Sequence, residues 1–133
     1  MQRLHRVLPR TDVVKASIED LAWLEPGVPP EVVARRLLES GPRVVLVTRG
    51  ADGATVVSPG GVETVPAPRV TVVDTIGAGD AFSAGFLAWW RHGGLGREEL
   101  LNLETIAQAA RFACLIASRT VTVAGASTPA MEL

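Results

Sequence analysis

The chain has 133 residues, of which 47% are hydrophobic and 20% are charged, a composition typical of one globular domain with a core of its own. Its 13 basic and 14 acidic residues leave a formal net charge of −1, which gives no electrostatic basis for binding nucleic acid or an anionic membrane. No apolar run in the sequence reaches the length of a membrane span. The single cysteine, Cys114, excludes an internal disulfide, and we expect it to be a buried, inert thiol in a cytoplasmic protein.

The first half of the chain predicts two strands separated by two helices. Ser17 lies where a helix N-cap is expected, and Asp20 follows at the third helical position, which resembles a capping box with Asp in place of Glu. The run at 44–47 is continuously apolar and bounded by Pro42 and Gly50, so we expect a central strand buried on both faces. The predicted elements are a strand at 11–16, a helix from 18 to about 25, a helix at 31–40 and a strand at 44–47.

The second half of the chain predicts a hairpin, a further strand and two helices. Two β-branched runs separated by a Ser-Pro-Gly-Gly turn indicate antiparallel strands. The predicted elements are strands at 54–57, 62–65 and 70–73, followed by helices at about 81–91 and 104–119. Strands and helices in this order predict an α/β layer fold with a mostly parallel central sheet.

The most informative stretch is Asp-Thr-Ile-Gly-Ala-Gly-Asp at 74–80, between the predicted strand at 70–73 and the helix that follows. A glycine-rich turn leading from a strand into a helix suits an anion, because glycines allow close approach and the first-turn N–H groups lack partners. Asp80 places a carboxylate beside that site, which indicates proton transfer next to a phosphate. The alternative is a tight turn in which Asp80 merely caps the helix.

This seven-residue string resembles the signature Asp-Thr-x-Gly-Ala-Gly-Asp of the ribokinase/PfkB family of carbohydrate kinases, and it keeps each fixed position. The stretches at 12–17 and 18–24 are most similar to the fructokinase-like branch. The resemblance implies a ribokinase-like fold, with three layers in which helices flank the sheet, and phosphoryl transfer from ATP to a sugar hydroxyl. It extends over nearly the whole chain but covers only the C-terminal part of the family's pattern.

The resemblance also assigns roles within the signature. Asp80 is the general base that accepts the proton of the sugar hydroxyl, because a carboxylate is ionised at neutral pH. The backbone around Gly77, Ala78 and Gly79 forms the anion hole for the transferring phosphoryl group. Asp74 would supply an oxygen ligand to a monovalent cation such as K⁺. The alternative is that Asp74 only satisfies backbone groups of the turn.

Two further segments resemble the nucleotide-binding parts of the family. Residues 48–53 are similar to its Thr-Leu-Gly-x-x-Gly loop and follow a predicted central strand, where open α/β sheets bind ligands. Thr48 would offer its hydroxyl, and Gly50 and Gly53 their backbone, to the phosphates of ATP, while Arg49 in place of Leu adds positive charge. A plain hairpin-type turn is the alternative, but it explains only the glycines.

The final helix and the tail to residue 126 resemble the adenine-side wall of the family. Cys114 stands where many members have Asn, so contacts with the base there would be mainly apolar. The string Val-Ala-Gly-Ala at 123–126 also departs from the common Arg-Pro-Gly-Ala.

A magnesium role is implied for Ser17 and Asp20, which fall where many members have an Asn-x-x-Glu pair that helps organise Mg²⁺ and phosphate. The oxygen chemistry is retained, but Asp is one methylene shorter than Glu, so the resemblance implies a water-mediated contact. The alternative is the helix cap alone. Lys15 either reaches a phosphate or is a solvated lysine at the end of a strand.

We therefore interpret residues 1–133 as a single C-terminal nucleotide-binding and catalytic portion of a PfkB-type kinase. The N-terminal portion, which in this family supplies most sugar contacts and a lid, is expected to be absent. The implied ligands are ATP, Mg²⁺ and a sugar, with no nucleic acid and no membrane. We expect the chain to form a homo-oligomer or to associate with the missing N-terminal half. The alternative function is a non-catalytic nucleotide- or partner-binding remnant of such a kinase.

Overall fold

A computed structural model describes residues 2–123 of the chain. The helices and strands lie close to their expected positions, apart from the strand predicted at 70–73, and a further short helix precedes the first strand. Each helix among residues 2–123 is too short or too polar to span a membrane. The elements are, in chain order, α1 (Gln2–Val7), β1 (Val13–Ser17), α2 (Ile18–Leu24), α3 (Pro30–Glu39), β2 (Val44–Thr48), β3 (Ala54–Ser58), β4 (Gly61–Val65), α4 (Ala78–His92) and α5 (Leu103–Thr120).

The four described strands form one sheet in the order β1-β2-β3-β4. β1 and β2 are parallel, as the two intervening helices allow, and their register sets Ser17 opposite Thr48. β2, β3 and β4 follow one another through short turns and are therefore antiparallel. The described part of the sheet is thus mixed, with one parallel pair among three, where the sequence predicts mostly parallel pairing.

Helices cover both faces of the sheet, which produces the three layers of the expected α/β fold. The side chains of β2 alternate between two cores. Val45 and Val47 pack with residues of α2 and α3, whereas Val44 and Leu46 pack with residues of α4 and α5. All four side chains are at most 2% exposed, so the prediction of a central strand buried on both faces is confirmed.

Residues 70–73 do not form the strand that their β-branched composition predicts. Val72 and Val73 are 54% and 61% exposed, and the segment has no regular secondary structure. Within the described range no strand lies beside it, and β propensity without a pairing partner does not make a strand. Instead, the N–H groups of Val73 and Asp74 donate to the carbonyl oxygen of Val121 at 2.7 and 3.1 Å. These bonds anchor the residues that lead into the signature to the end of α5.

Helices α4 and α5 pack closely against each other on one face of the sheet. A Cβ atom at Gly85 would lie 3.2 Å from the Cα of Ala113 and 3.3 Å from the Cβ of Ile116, so glycine permits this approach. Phe82 and Phe86 of α4 are buried in the same core. The packing fixes the direction of α4 and hence the position of the signature at its N-terminus.

Candidate active site

The candidate site lies at the carboxyl ends of the parallel strands β1 and β2. Parallel pairing brings Ser17 and Thr48, the last residues of these strands, side by side. The N-terminus of α4 reaches the same region, because the Nζ of Lys15 on β1 donates a hydrogen bond to the carbonyl oxygen of Gly79 at 3.2 Å. Three segments that are far apart in sequence therefore meet here.

The signature forms a tight turn that opens α4. Gly77 is the N-cap residue with a φ of +83°, a backbone conformation that glycine adopts without strain. The N–H of Ala78 donates to the Thr75 carbonyl, while the Gly77 carbonyl accepts from Ala81. Within residues 2–123, the N–H groups of Gly79 and Asp80 have no acceptor. Unpaired first-turn donors at a helix of 15 residues suit an anion. The N–H of Ala78, which the resemblance assigns to the anion hole, already has an acceptor, and the anion hole stays a prediction.

Asp80 is exposed in the first turn of α4, and its carboxylate has no hydrogen bond or ion pair with the part of the chain that the structure describes. The helix has no side-chain capping bond at its start, so this geometry does not support the alternative in which Asp80 is a cap. An accessible carboxylate next to unpaired N–H donors is able to accept a proton from a ligand bound there. The general-base role of Asp80 stays a prediction.

Asp74 takes part in the turn that precedes the helix. Its Oδ1 accepts a hydrogen bond from the N–H of Ile76 at 2.9 Å, the pattern of an Asx turn. This contact agrees with the simpler of its two predicted roles, the satisfaction of turn backbone. The monovalent-cation role stays a prediction.

The predicted nucleotide loop connects β2 to β3 through a single turn of 3₁₀ helix, Gly50–Asp52. Thr48 is half-buried at the end of β2. The two glycines of the loop differ sharply, although both have positive φ. A Cβ at Gly50 would meet nothing within 4 Å, whereas a Cβ at Gly53 would lie 2.0 Å from the carbonyl oxygen of Val65. Gly53 is therefore required by the contact with β4, and Gly50 is open to a ligand.

The side chain of Arg49 does not point toward the α4 side of the sheet. Its Nε donates to the hydroxyl of Thr55 at 2.9 Å, and its guanidinium forms an ion pair with Glu31 of α3. Because Glu31 already pairs with this charge, the expectation that Arg49 adds free positive charge for ATP is not supported.

Ser17 and Asp20 form a complete capping box at the start of α2. The Oγ of Ser17 accepts from the N–H of Asp20 at 3.0 Å, and the Oδ2 of Asp20 accepts from the N–H of Ser17 at 2.9 Å. The predicted cap is confirmed. No group of three or more His, Cys, Asp or Glu side chains in the described range could hold a metal ion, so the Mg²⁺ role of this pair stays a prediction.

Substitution of Ser17 tests the cap directly. We expect Ser17→Ala to lower the free energy of unfolding by about 1 kcal/mol, because the N–H of Asp20 loses its acceptor, and Ser17→Gly to lower it by only a few tenths. Urea denaturation of the chain without nucleotide measures both values. A free energy of unfolding in Ser17→Ala equal to that of the unchanged chain would contradict a capping role for the hydroxyl.

Cys114 is a core residue of α5, as predicted. Its side chain is 4% exposed among residues of α4, α5 and the sheet. Burial raises the pKa of its thiol to about 11, so the thiol is protonated at neutral pH and is not a nucleophile. A contact between Cys114 and adenine stays a prediction. The rest of the expected adenine-side wall, residues 124–126, lies outside the described residues.

Two contacts at this site are not among those that the sequence predicts. Lys15 and Ser83 both donate to the Gly79 carbonyl, the latter from its Oγ at 3.2 Å. Lys15 is 64 residues away from its acceptor, so no local spacing links them. The position of Lys15 two residues before the N-cap at the end of a strand is the only signal, and it leaves a solvated lysine equally open.

Several proteins that are named as sugar kinases are similar in sequence to this chain. The chain is 44% identical over 88 residues to a fructokinase of Rhizobium leguminosarum bv. trifolii, a match that covers 66% of this chain and 27% of the relative. It is 43% identical over 99 residues to a 1-phosphofructokinase of Haloferax volcanii, covering 74% of this chain and 29% of the relative. The chain thus spans less than a third of the length of these proteins.

Solved structures share the fold. A Xylella fastidiosa fructokinase with bound ATP superposes with a TM-score of 0.81 at 30% identity, over 94% of this chain and 41% of that one. A Vibrio cholerae fructokinase with fructose, ADP and a calcium ion gives a TM-score of 0.80 at 32% identity, over 91% and 38%. The ribokinase-like α/β fold expected from the sequence is confirmed. The sequence pattern of the family described as "pfkB family carbohydrate kinase" matches residues 1–133. The chain therefore belongs to the PfkB family of carbohydrate kinases.

Proposed function

We propose that this chain is the nucleotide-binding and catalytic-base part of an ATP-dependent sugar kinase of the fructokinase type. The proposal rests on the geometry at the start of α4. Unpaired N–H groups of Gly79 and Asp80, in the described range, lie beside the exposed carboxylate of Asp80. A site of this kind combines a binding place for phosphate oxygens with an acceptor for a proton, which are the two needs of phosphoryl transfer to a hydroxyl.

In the proposed reaction, Asp80 accepts the proton of the attacking sugar hydroxyl. The sugar oxygen forms a bond to the γ-phosphorus of ATP, and the bond from that phosphorus to the bridging oxygen breaks, which leaves ADP and a sugar phosphate. The N–H groups at the start of α4, aided by the helix dipole, stabilise the negative charge on the transferring phosphoryl group. Thr48 and Gly50 lie at the same edge of the sheet, where the loop would hold the remaining phosphates.

The residues present fit an indirect magnesium site. The Oδ2 of Asp20 is occupied by the N–H of Ser17, while its other carboxylate oxygen has no partner in the described range and the residue is exposed. Mg²⁺ usually keeps several waters and binds through one or two carboxylates together with substrate phosphates. Asp20 would hold the ion through water, and the ion would supply charge neutralisation to ATP. Asp74 is the proposed ligand for K⁺.

A groove beside β1 supports association with the rest of the fold. This groove of about 400 Å³ is lined by residues 13–16 together with Leu4, Val7 and Leu24. Neighbouring strand residues point to opposite faces, so a groove lined by four consecutive residues runs along the edge of the strand. An open strand edge accepts a further strand. We propose that an N-terminal kinase portion, as part of the same or a separate polypeptide, covers this edge and supplies the sugar contacts.

A cytoplasmic location is part of the proposal. It is supported by the single buried thiol, which needs no oxidising compartment.

A chimeric enzyme tests the proposed function. This chain is fused behind the part of the Rhizobium leguminosarum fructokinase that precedes the region it matches, and phosphorylation of a sugar panel headed by fructose is measured with ATP, Mg²⁺ and K⁺. We expect sugar phosphorylation by the chimera, and ATP binding without turnover by this chain alone. A folded chimera that binds ATP but phosphorylates no sugar would instead favour the non-catalytic binding remnant. The Rhizobium segment alone is the control.

A further inference from the structure

The carbonyl group of Gly79 accepts two side-chain hydrogen bonds at the start of α4. The Nζ of Lys15 reaches it from β1, and the Oγ of Ser83 reaches it from the next turn of the helix, each at 3.2 Å. Lys15 pairs in register with Leu46, whose side chain faces the core beneath α4 and α5, so its side chain extends on the α4 side of the sheet. One peptide group is thereby held from two directions.

That peptide group also carries a donor of the proposed anion hole. The carbonyl of Gly79 and the N–H of Asp80 belong to the same planar unit, and in a trans peptide they point in opposite directions. Fixing the carbonyl therefore fixes the direction of the N–H, which has no acceptor within residues 2–123. A cation at the carbonyl also polarises the unit and makes its N–H a stronger donor.

The charge of Lys15 is not used elsewhere in the described structure. No carboxylate in the described range forms an ion pair with it, whereas five arginines in the same range do form such pairs. A bond from an exposed ammonium to a neutral carbonyl adds little to stability, since the net value of such bonds is about 1 kcal/mol. An ammonium that no described carboxylate neutralises, bonded to the peptide group whose N–H lacks an acceptor, is instead suited to strengthening that N–H toward a ligand with negative charge.

We propose that Lys15 is a positioning residue for the phosphoryl group that the kinase transfers. It orients and polarises the peptide between Gly79 and Asp80, and so strengthens the N–H that would bind the phosphoryl oxygens as they become more negative. The inference rests on the proposed function, because it concerns the same anion hole. Ser83 holds the same carbonyl without adding charge.

Three variants of the chimeric kinase separate charge from structure. Lys15→Met removes the ammonium and keeps the apolar stem, Lys15→Arg keeps a cation, and Ser83→Ala removes only the neutral donor. We expect Lys15→Met to lower kcat about 10- to 100-fold with the sugar KM unchanged, which is less than the loss of about 10²- to 10³-fold that follows removal of a preorganised donor itself, because the N–H remains. Lys15→Arg should recover most of kcat, and Ser83→Ala should lower it by less than about fivefold.

A second readout does not depend on turnover. In the chain itself, Lys15→Met should weaken the binding of ATP measured by titration calorimetry, while leaving the affinity for adenosine and the melting temperature near those of the unchanged chain. If kcat and ATP affinity in Lys15→Met both stay within about twofold of the values of the unchanged protein, the inference is overturned. The proposed function then still holds, provided that the parent chimera is active. An inactive parent chimera with no ATP binding would overturn both.

Discussion

Asp80→Asn is expected to reduce the kcat of the chimeric kinase by about 10²- to 10⁴-fold, the usual contribution of a positioned general base. Asparagine has nearly the same shape as aspartate but does not accept a proton from a hydroxyl. The ATP affinity should be unchanged or higher, because the substitution removes a negative charge close to the phosphates. Steady-state kinetics with fructose, and titration with ATP, measure the two quantities separately.

The matched control is Glu98→Gln. Glu98 is also an exposed acid in the first turn of a helical segment, Arg97–Leu101, and no hydrogen bond or ion pair among residues 2–123 joins it to the candidate site. It should leave kcat and KM unchanged. A kcat in Asp80→Asn within about threefold of the parent value would show that Asp80 is not the base.

The second large effect is on stability and concerns Gly53. We expect Gly53→Ala to lower the free energy of unfolding by about 3 kcal/mol or more, since the substitution combines strain at a φ of +89° with overpacking against backbone. The added Cβ would lie 2.0 Å from the carbonyl oxygen of Val65 and 2.8 Å from the N of Ala67, neither of which belongs to a flexible side chain. Urea denaturation followed by circular dichroism measures the loss.

Gly50→Ala is the matched control for strain without a clash. Its φ is +57° and its surroundings are open, so the expected loss is about 1 kcal/mol. Equal losses at the two positions would contradict the packing argument. The Gly50→Ala variant also tests nucleotide binding. If this variant is still folded and binds ATP more weakly, the loss reflects a contact with the nucleotide and not a disrupted loop.

The sequence predicts those parts of the molecule that depend on short-range patterns. The capping box at Ser17 and Asp20 is a three-residue spacing, and the structure has both of its bonds. The buried strand at Val44–Thr48 follows from a continuous apolar run. The turn before α4 follows from the signature, in which Gly77 occupies the left-handed region. In each case neighbours in the chain determine the geometry.

The failures concern partners that are distant in sequence. The run at 70–73 has the composition of a strand, but whether it pairs depends on what lies beside it, and in the described range its last residue instead bonds to Val121. Arg49 has the charge to bind a phosphate, but its guanidinium forms an ion pair with Glu31 of α3, on the face of the sheet opposite α4. Lys15 and Gly79 are likewise joined only by the tertiary fold.

The bonds from Val73 and Asp74 to the carbonyl of Val121 determine when, during protein synthesis, the turn before α4 can reach its final geometry. During synthesis the signature emerges from the ribosome before α5, yet its anchor, Val121, directly follows α5. The hairpin β3–β4 has all its partners nearby and is able to form during synthesis, whereas the turn before α4 stays incomplete until translation has passed residue 121. Chains that terminate before that point would therefore carry the signature without its anchored geometry.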